Sequence, residues 1–267
     1  MTILRTLAHF VHRWILHSRH ITAQIPEHNL QLEVSPADVI GRHLYKYRRY
    51  EPALAATLDT HLDLRSADLM IDIGANIGWY SLLVSRLSQG RCQVFAFEPD
   101  PDNFTRLQRN LKLNGIDQVS AFNLAVGEHA ATLQLHRYGK SNAGRHSLVD
   151  LHAGETIPVQ VVSLDEHWSA QALPAGPIRL LKMDIEGYEV FALRGARHLL
   201  ARCEWLLLEH SPAYLERSGA GINALIDLLQ ESGFKPYLPS GNAPLQAIDI
   251  KELRQDPAQR DVLWRRH

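Results

Sequence analysis

Cysteine is nearly absent: Cys92 and Cys203 are the only two in 267 residues. Two lone thiols make no disulfide framework, and they lack the paired spacing of a structural zinc site. A reducing, cytoplasmic setting is therefore expected. Charge of one sign is also lacking, since 28 Lys and Arg against 29 Asp and Glu leave a formal charge of −1. No global field exists to hold a nucleic-acid polyanion. Long apolar runs are missing too. A stretch such as Leu206-Leu207-Leu208 is far below the roughly 20 residues of a membrane-spanning helix. His9, His12 and Arg13 interrupt every candidate secretion-signal core in the opening segment.

What remains is a chain that is 45% hydrophobic and 21% charged, suited to one catalytic domain with an extension. In the first twenty residues, Leu4, Leu7, Val11, Trp14 and Ile15 recur at helical spacing among Arg5, His9, His12, Arg13, His17, Arg19 and His20. The spacing predicts a basic amphipathic helix packed on its own domain; contact with an anionic membrane or a partner is the functional option. The His9/His12 and His17/His20 pairs lack the nearby cysteine or carboxylate support of a metal site. From Pro36 to Leu64 the pattern is mostly helical, with Leu54, Leu58 and Leu62 on one face. Residues 1–66 are thus expected to be a helical extension.

From residue 67 to 267 short apolar strands alternate with helices, as in a parallel sheet covered on both faces. Leu69–Ile73 reads as a strand, Ile77–Leu87 as a helix and Gln93–Phe97 as a second strand. Asp100 then caps a helix that starts at Pro101, with Phe104, Leu107 and Leu111 as its buried stripe. Further strands are expected at Val119–Leu124, Ile178–Met183 and Trp205–Leu208, and helices at Glu189–Leu200 and Ile222–Glu231. Residues 127–168 read as an insertion or lid, with Thr132–His136 and Ile157–Val162 as an antiparallel pair.

Asp72-Ile73-Gly74-Ala75-Asn76-Ile77-Gly78 stands where the first strand hands over to its helix, the ligand-binding edge of open α/β sheets. Asn76 and Trp79 occupy positions where a dinucleotide fingerprint needs glycine, and no Gly-Lys-Ser/Thr follows, so neither a nicotinamide nor a Walker site is expected. Glu98 ends the second strand, well placed to accept hydrogen bonds from ribose hydroxyls of a nucleoside. Asp184 and Glu186 follow the Ile178–Met183 strand, with Lys182 just before them. These two carboxylates can supply a general base, partners for a cofactor amino group, or ligands of a divalent cation; as a bland alternative they are a helix-start acid pair. An i,i+2 pair stays on one side only while the backbone is extended, and diverges if a turn begins. Lys182 either neutralises Asp184 and orients an acceptor, or packs its stem with the amine in solvent. Glu209, His210, His146, Ser147 and Tyr50-Glu51 are weaker candidates.

The chain resembles the FkbM-type S-adenosylmethionine-dependent methyltransferases over about residues 49–210. The likeness rests on Arg49-Tyr50-Glu51, the Asp72–Gly78 loop, Phe97-Glu98-Pro99, Leu124-Ala125-Val126-Gly127, Ser163-Leu164-Asp165 and the segment from Leu181 to Glu189. The resemblance implies a class I methyltransferase, a Rossmann-like doubly wound sheet of seven strands with the last antiparallel, here preceded by N-terminal helices. It implies that Asp72, Gly74, Asn76 and Gly78 shape the methionine end of S-adenosyl-L-methionine, that Glu98 holds the ribose, and that Asn123 and Ala125 border the adenine. Asp184, Glu186 and Lys182 are the expected catalytic set. No metal ligand is assigned, although a divalent metal stays possible. The expected acceptor is a hydroxyl of a small molecule or saccharide. A macromolecular N-methyltransferase is disfavoured because the Asn-Pro-Pro-Tyr type loop of base methylases is missing; a non-catalytic nucleoside-binding or scaffold protein is the remaining alternative.

Overall fold

The computed structural model describes residues 2–64, 69–139, 143–151 and 154–267. The expected boundary at 66/67 falls outside these residues. The opening segment is α1 (Thr2–Phe10), continued by a π-helical stretch over Val11–Ile15. The alternation Ile21-Thr22-Ala23-Gln24-Ile25 and Leu30-Gln31-Leu32-Glu33-Val34 then pairs as a hairpin, β1 (Ile21–Ile25) and β2 (Leu30–Val34), turned by Pro26–His28 and Asn29 at φ 50°. The helical extension expected over residues 1–66 thus carries a strand hairpin between its helices: period-2 burial on one face makes these strands. Next come α2 (Val39–Tyr47), capped by Asp38 on the Gly41 N–H, and α3 (Pro52–His61), whose Leu54 and Leu58, with Leu62 just beyond, are buried.

The core alternation starts with β3 (Leu69–Ile73), α4 (Trp79–Leu87), β4 (Gln93–Phe97) and α5 (Pro101–Leu113). The Asp100 carboxylate accepts the N–H groups of Asp102 and Asn103, as its sequence position before Pro101 demands. The chain continues through β5 (Val119–Phe122), β6 (Ala125–Gly127), β7 (Ala131–His136), β8 (Thr156–Ser163), α6 (Leu164–Ala170) and β9 (Ile178–Met183). It ends with α7 (Glu189–Arg194), α8 (Arg197–Leu200), β10 (Cys203–His210), α9 (Pro212–Arg217), α10 (Ile222–Glu231), β11 (Phe234–Leu238), β12 (Gln246–Ala247), α11 (Ile250–Gln255) and β13 (Arg260–Arg266). The single helix expected over Glu189–Leu200 is two. At the break, a Cβ on Gly195 would meet the Gly127 carbonyl oxygen at 2.1 Å, so the small residue lets the chain press against β6.

Among the described residues the central sheet has eight strands, in the order β12-β11-β13-β10-β9-β3-β4-β5. β5, β4, β3, β9 and β10 run parallel, and β13 enters antiparallel between β10 and β11. This is the doubly wound class I methyltransferase sheet with its antiparallel final strand; the two-residue β12 is an added edge beyond the expected seven. Alternate residues feed two cores. Met70, Val94, Ala96, Leu180 and Leu207 pack with α3, α4, α5 and the hairpin, whereas Ile71, Ile73, Phe95, Phe97, Leu181 and Leu206 pack with α7, α8 and α10. The 127–168 region carries a separate three-stranded sheet, β6-β8-β7, in which Thr132 to Leu135 oppose Gln160 to Ile157 as the alternation predicts.

α1 departs from expectation. Its less exposed stripe is Arg5, Ala8 and His9, continued by His12 and Arg13, while Ile3, Leu4, Leu7 and Trp14 are exposed. The helix lies on its domain, but with its polar side inward.

Candidate functional site

The carboxyl ends of β3, β4, β9 and β10 open into a cavity of about 460 Å³, within the roughly 300–1,000 Å³ of small-molecule sites. Gly74 turns the chain out of β3 at φ +73°, and Asn76 takes φ 51° in the same loop. A Cβ on Gly74 would lie 2.1 Å from the Asp184 carbonyl oxygen; one on Gly78 would lie 2.4 Å from Leu107 Cδ1. The loop is therefore pressed against the end of β9 on one side and α5 on the other. Asn110 of α5 secures it further, donating through Nδ2 to the Ile77 carbonyl at 2.9 Å while its Oδ1 accepts the Glu33 N–H at 2.6 Å. The hairpin missed in the sequence thus braces the loop.

Glu98 is buried, its Oε2 accepting the Asn76 N–H at 2.7 Å and its Oε1 the Asp100 N–H at 2.9 Å. Burial outweighs these hydrogen bonds and pushes its carboxyl up to about 8. Gly74, Asn76, Glu98 and Ala125 line the cavity; Asp72, Gly78 and Asn123 do not. Asp72 is fully buried behind the wall, where its Oδ2 accepts from the Ser81 hydroxyl at 2.6 Å. The Asn123 amide nitrogen donates to the carbonyls of Glu98 and Pro99 at 2.8 and 2.9 Å, so it fixes the strand end, and Leu124 takes the lining position beside Ala125.

Lys182 does not send its amine to solvent. Its side chain is 6% exposed, donating to the Gly74 carbonyl at 3.1 Å and lying 3.7 Å from Asp72 and 3.6 Å from Asp184. Burial opposes its charge, but Asp184, Asp72 and Glu51 together hold the ammonium above its ordinary value. A turn does begin after β9, at Glu186 with φ 51° and Gly187 with φ 98°. The carboxylates nevertheless do not diverge. Oxygens of Asp184, Glu186 and Glu209 all lie within 4.8 Å of one another, a donor set with the oxygen chemistry of a divalent-cation site. Asp184 is half-exposed to the cavity, whereas Glu186 is buried, with Oε2 lacking a hydrogen-bond partner among the described residues. Burial, then the charges of Glu209 and Asp184, push Glu186 up to about 9. Glu209 is raised by burial and Asp184. Glu189, the last acid of that segment, accepts the Gly187 N–H and closes the turn from below.

Three further residues reach the cavity from afar. Glu51 bonds the Tyr80 hydroxyl and is raised by burial; Asp261 of β13 is raised to about 7 by burial and by Glu51; Arg145 stands 4.0 Å from Glu186. Of these only Glu51 carried a sequence signal, in Tyr50-Glu51. Asp261 and Arg145 lie on a late strand and in the insertion, with no local pattern to mark them. From the same insertion, His146 and Ser147 line the cavity. His146 Nδ1 accepts the Tyr138 N–H, and the Ser147 hydroxyl donates to the Glu186 carbonyl at 2.8 Å. His210 turns away, its ring bonding the Asp256 carbonyl.

Residues 72–236 match the Methyltransferase FkbM domain. The chain belongs to the FkbM methyltransferase family. Among curated relatives of this FkbM-family enzyme, Methyltransferase 1 of Beauveria bassiana is 29% identical over 183 residues, covering 62% of this chain and 71% of that one. The 2-O-methyltransferase NoeI of Sinorhizobium fredii is 24% identical over 190 residues, covering 65% and 75%. The hexuronic acid methyltransferase AglP of Haloferax volcanii is 25% identical over 142 residues, covering 53% and 55%. As in the FkbM family's name, the reaction class is methyl transfer, and among the described residues no helix is long and apolar enough to cross a membrane.

Proposed function

We propose that this enzyme transfers a methyl group from S-adenosylmethionine to a hydroxyl of a small molecule or saccharide, with both reactants in the cavity above β3, β4 and β9. The observation that carries the proposal is the meeting there of the Gly74–Asn76 loop, Glu98 and the carboxylates of Asp184, Glu186 and Glu209. The lining holds six carboxyl side chains (Glu51, Glu98, Asp184, Glu186, Glu209 and Asp261) against the cations Lys182 and Arg145. Burial raises Glu98 to about 8 and Asp261 to about 7, and a donor bearing a sulfonium and an ammonium group would favour their ionised forms. The names of NoeI and AglP, a 2-O-methyltransferase and a hexuronic acid methyltransferase, support oxygen and a sugar as acceptor.

When bound, the donor supplies an electrophilic methyl carbon. The residues of the chain then have separable tasks. Glu98, held by two backbone N–H groups, keeps lone pairs free to accept ribose hydroxyls; Leu124 and Ala125 offer an apolar wall to the base; the Gly74–Asn76 backbone receives the methionine end. Asp184 is the base: it faces the cavity, with the Lys182 ammonium 3.6 Å away. Glu186, pushed up to about 9, carries a proton at neutral pH and serves as a hydrogen-bond donor. Lys182 acts through Asp184 and the Gly74 carbonyl. A second reading is favoured by the clustering of Asp184, Glu186 and Glu209: these three would hold a divalent cation, which would polarise the acceptor hydroxyl.

Isothermal titration with S-adenosylmethionine, followed by incubation with labelled donor and a metabolite extract of the source, tests the proposal. Binding and a labelled O-methyl product are expected; absence of binding at sub-millimolar donor overturns it. Activity that survives a chelator favours Asp184 acting alone, whereas loss restored by magnesium favours the cation.

A further inference from the structure

The first helix is built inside out. Its inward stripe Arg5, Ala8, His9, followed by His12 and Arg13, has the spacing of a buried helix face, yet it is basic and polar. His9 is 6% exposed and its Nε2 bonds the Pro36 carbonyl at 2.8 Å, while the rings of His9 and His12 lie 6.3 and 6.1 Å from that of Tyr45 in α2. The apolar stripe is left in water: Ile3 is 77% exposed, Leu4 71% and Trp14 60%. Of the eleven exposed large hydrophobic residues among those described, eight fall between Ile3 and Leu16, and two more, Val39 and Tyr47, lie on α2, which packs against α1. Ten of the eleven thus fall on the opening helical segment and the helix packed against it, and exposed apolar patches mark interaction surfaces.

We propose that this face docks the protein in the plane of a bilayer containing anionic phospholipid. Charge selects the occupant. Residues 1–26 contain no Asp or Glu, but do contain Arg5, Arg13 and Arg19. Arg42 and Lys46 add positive charge around His9, as Arg106 does around His20. Among the acids beside this face, Glu33 pairs with Arg109 at 3.0 Å, Asp38 caps α2, and Asp100, Asp102 and Glu155 share Arg137. The whole chain carries −1, so the basic belt is local. Arg13, over Trp14, and exposed Arg19 flank the apolar stripe, where long side chains reach headgroup phosphates while their stems stay with the apolar layer; Arg5 lies on the inward side. Trp14, with the Arg13 guanidinium 4.9 Å over its ring, is the residue type favoured at the lipid–water boundary. A second copy fits worse, because symmetric docking would bring two basic belts together. Nine helical residues and a five-residue π segment are too short to span, so the helix lies flat. Val39, 42% exposed, also lines the active cavity, so docking sets the cavity mouth beside the membrane.

Co-sedimentation of the full chain with vesicles of phosphatidylcholine and phosphatidylglycerol, against phosphatidylcholine alone, tests this. The wild type is expected to pellet with the anionic vesicles, to bind neutral ones about tenfold or more weakly, and to be released by salt. The double variant Leu4→Glu with Leu7→Glu should stay in the supernatant while keeping its melting temperature and donor binding. The proposal is overturned if the wild type ignores anionic vesicles, if the double variant pellets equally, or if the face instead holds two copies together in a dimer that the variant splits.

Discussion

The carbonyl oxygen of Asp184 fills the space that a side chain on Gly74 would need: a Cβ there would approach it to 2.1 Å. The donor loop and the proposed base are thereby one mechanical unit, further tied by the Asp184 N–H donating to the Ile73 carbonyl at 3.1 Å.

Gly74→Ala breaks that unit. The added methyl meets backbone that cannot swing aside, at a φ that L residues adopt with strain. A loss of about 2–4 kcal/mol is expected, read by denaturant titration, together with weakened donor binding. A variant as stable as wild type would mean that the loop and β9 separate easily.

Glu98→Gln keeps one oxygen and the side-chain shape but loses the capacity to accept hydrogen bonds at both ends. A buried partner left unsatisfied costs roughly 1–3 kcal/mol, so donor affinity should fall about 5- to 100-fold by calorimetry. Unchanged affinity would remove Glu98 from the ribose site.

Asp184→Asn should lower kcat by roughly 100- to 10,000-fold with little change in donor Kd, because only proton acceptance is lost. Lys182→Met should instead destabilise the fold by about 3–5 kcal/mol, since it leaves the buried Asp72 without its cation at 3.7 Å. Rescue of stability by pairing Lys182→Met with Asp72→Asn, in a double-mutant cycle, checks that origin.

Stability should fall on the alkaline side. Burial raises Glu98 to about 8 and Glu186 to about 9 from an ordinary 4.5. Between those values the folded chain holds protons that the unfolded chain has lost. The associated stability is complete below about 4.5 and disappears as pH rises through 8 and 9. Buried His9 and His210 and the partly buried His146 are lowered from 6.5, so they act oppositely but only at lower pH. Between about pH 7 and 9 the carboxyls decide, and a loss on the order of 3 kcal/mol, or roughly 6–12 °C in Tm, is expected. Saturating cationic donor should flatten that fall in scanning fluorimetry; a flat profile without donor would contradict the burial of these acids.

Much of the frame is written locally. Asp100-Pro101 starts α5 because a carboxylate and a missing N–H both suit a helix's first turn. Gly74 marks the end of β3 because the chain must bend there, and the strand-end acids Glu98 and Asp184 follow from the βα alternation. The β1–β2 alternation was equally present, in five-residue stretches whose neighbours read as helix. What no local pattern contains is which distant groups share one space. Asp261 reaches the cavity only when β13 pairs beside β10, Arg145 nears Glu186 only when the insertion folds back, and Asn123 is drawn to the backbone of Glu98 and Pro99.

The sequence by itself determined the periodicities, the caps, the glycine turn and the chemistry of the strand ends, since each depends on residues within a turn or two of one another. Only the tertiary structure decided that Asp184, Glu186 and Glu209 converge despite the turn at Glu186, and that α1 hides its histidines and presents its leucines. Burial and electrostatic fields are sums over neighbours in space, and packing chooses those neighbours.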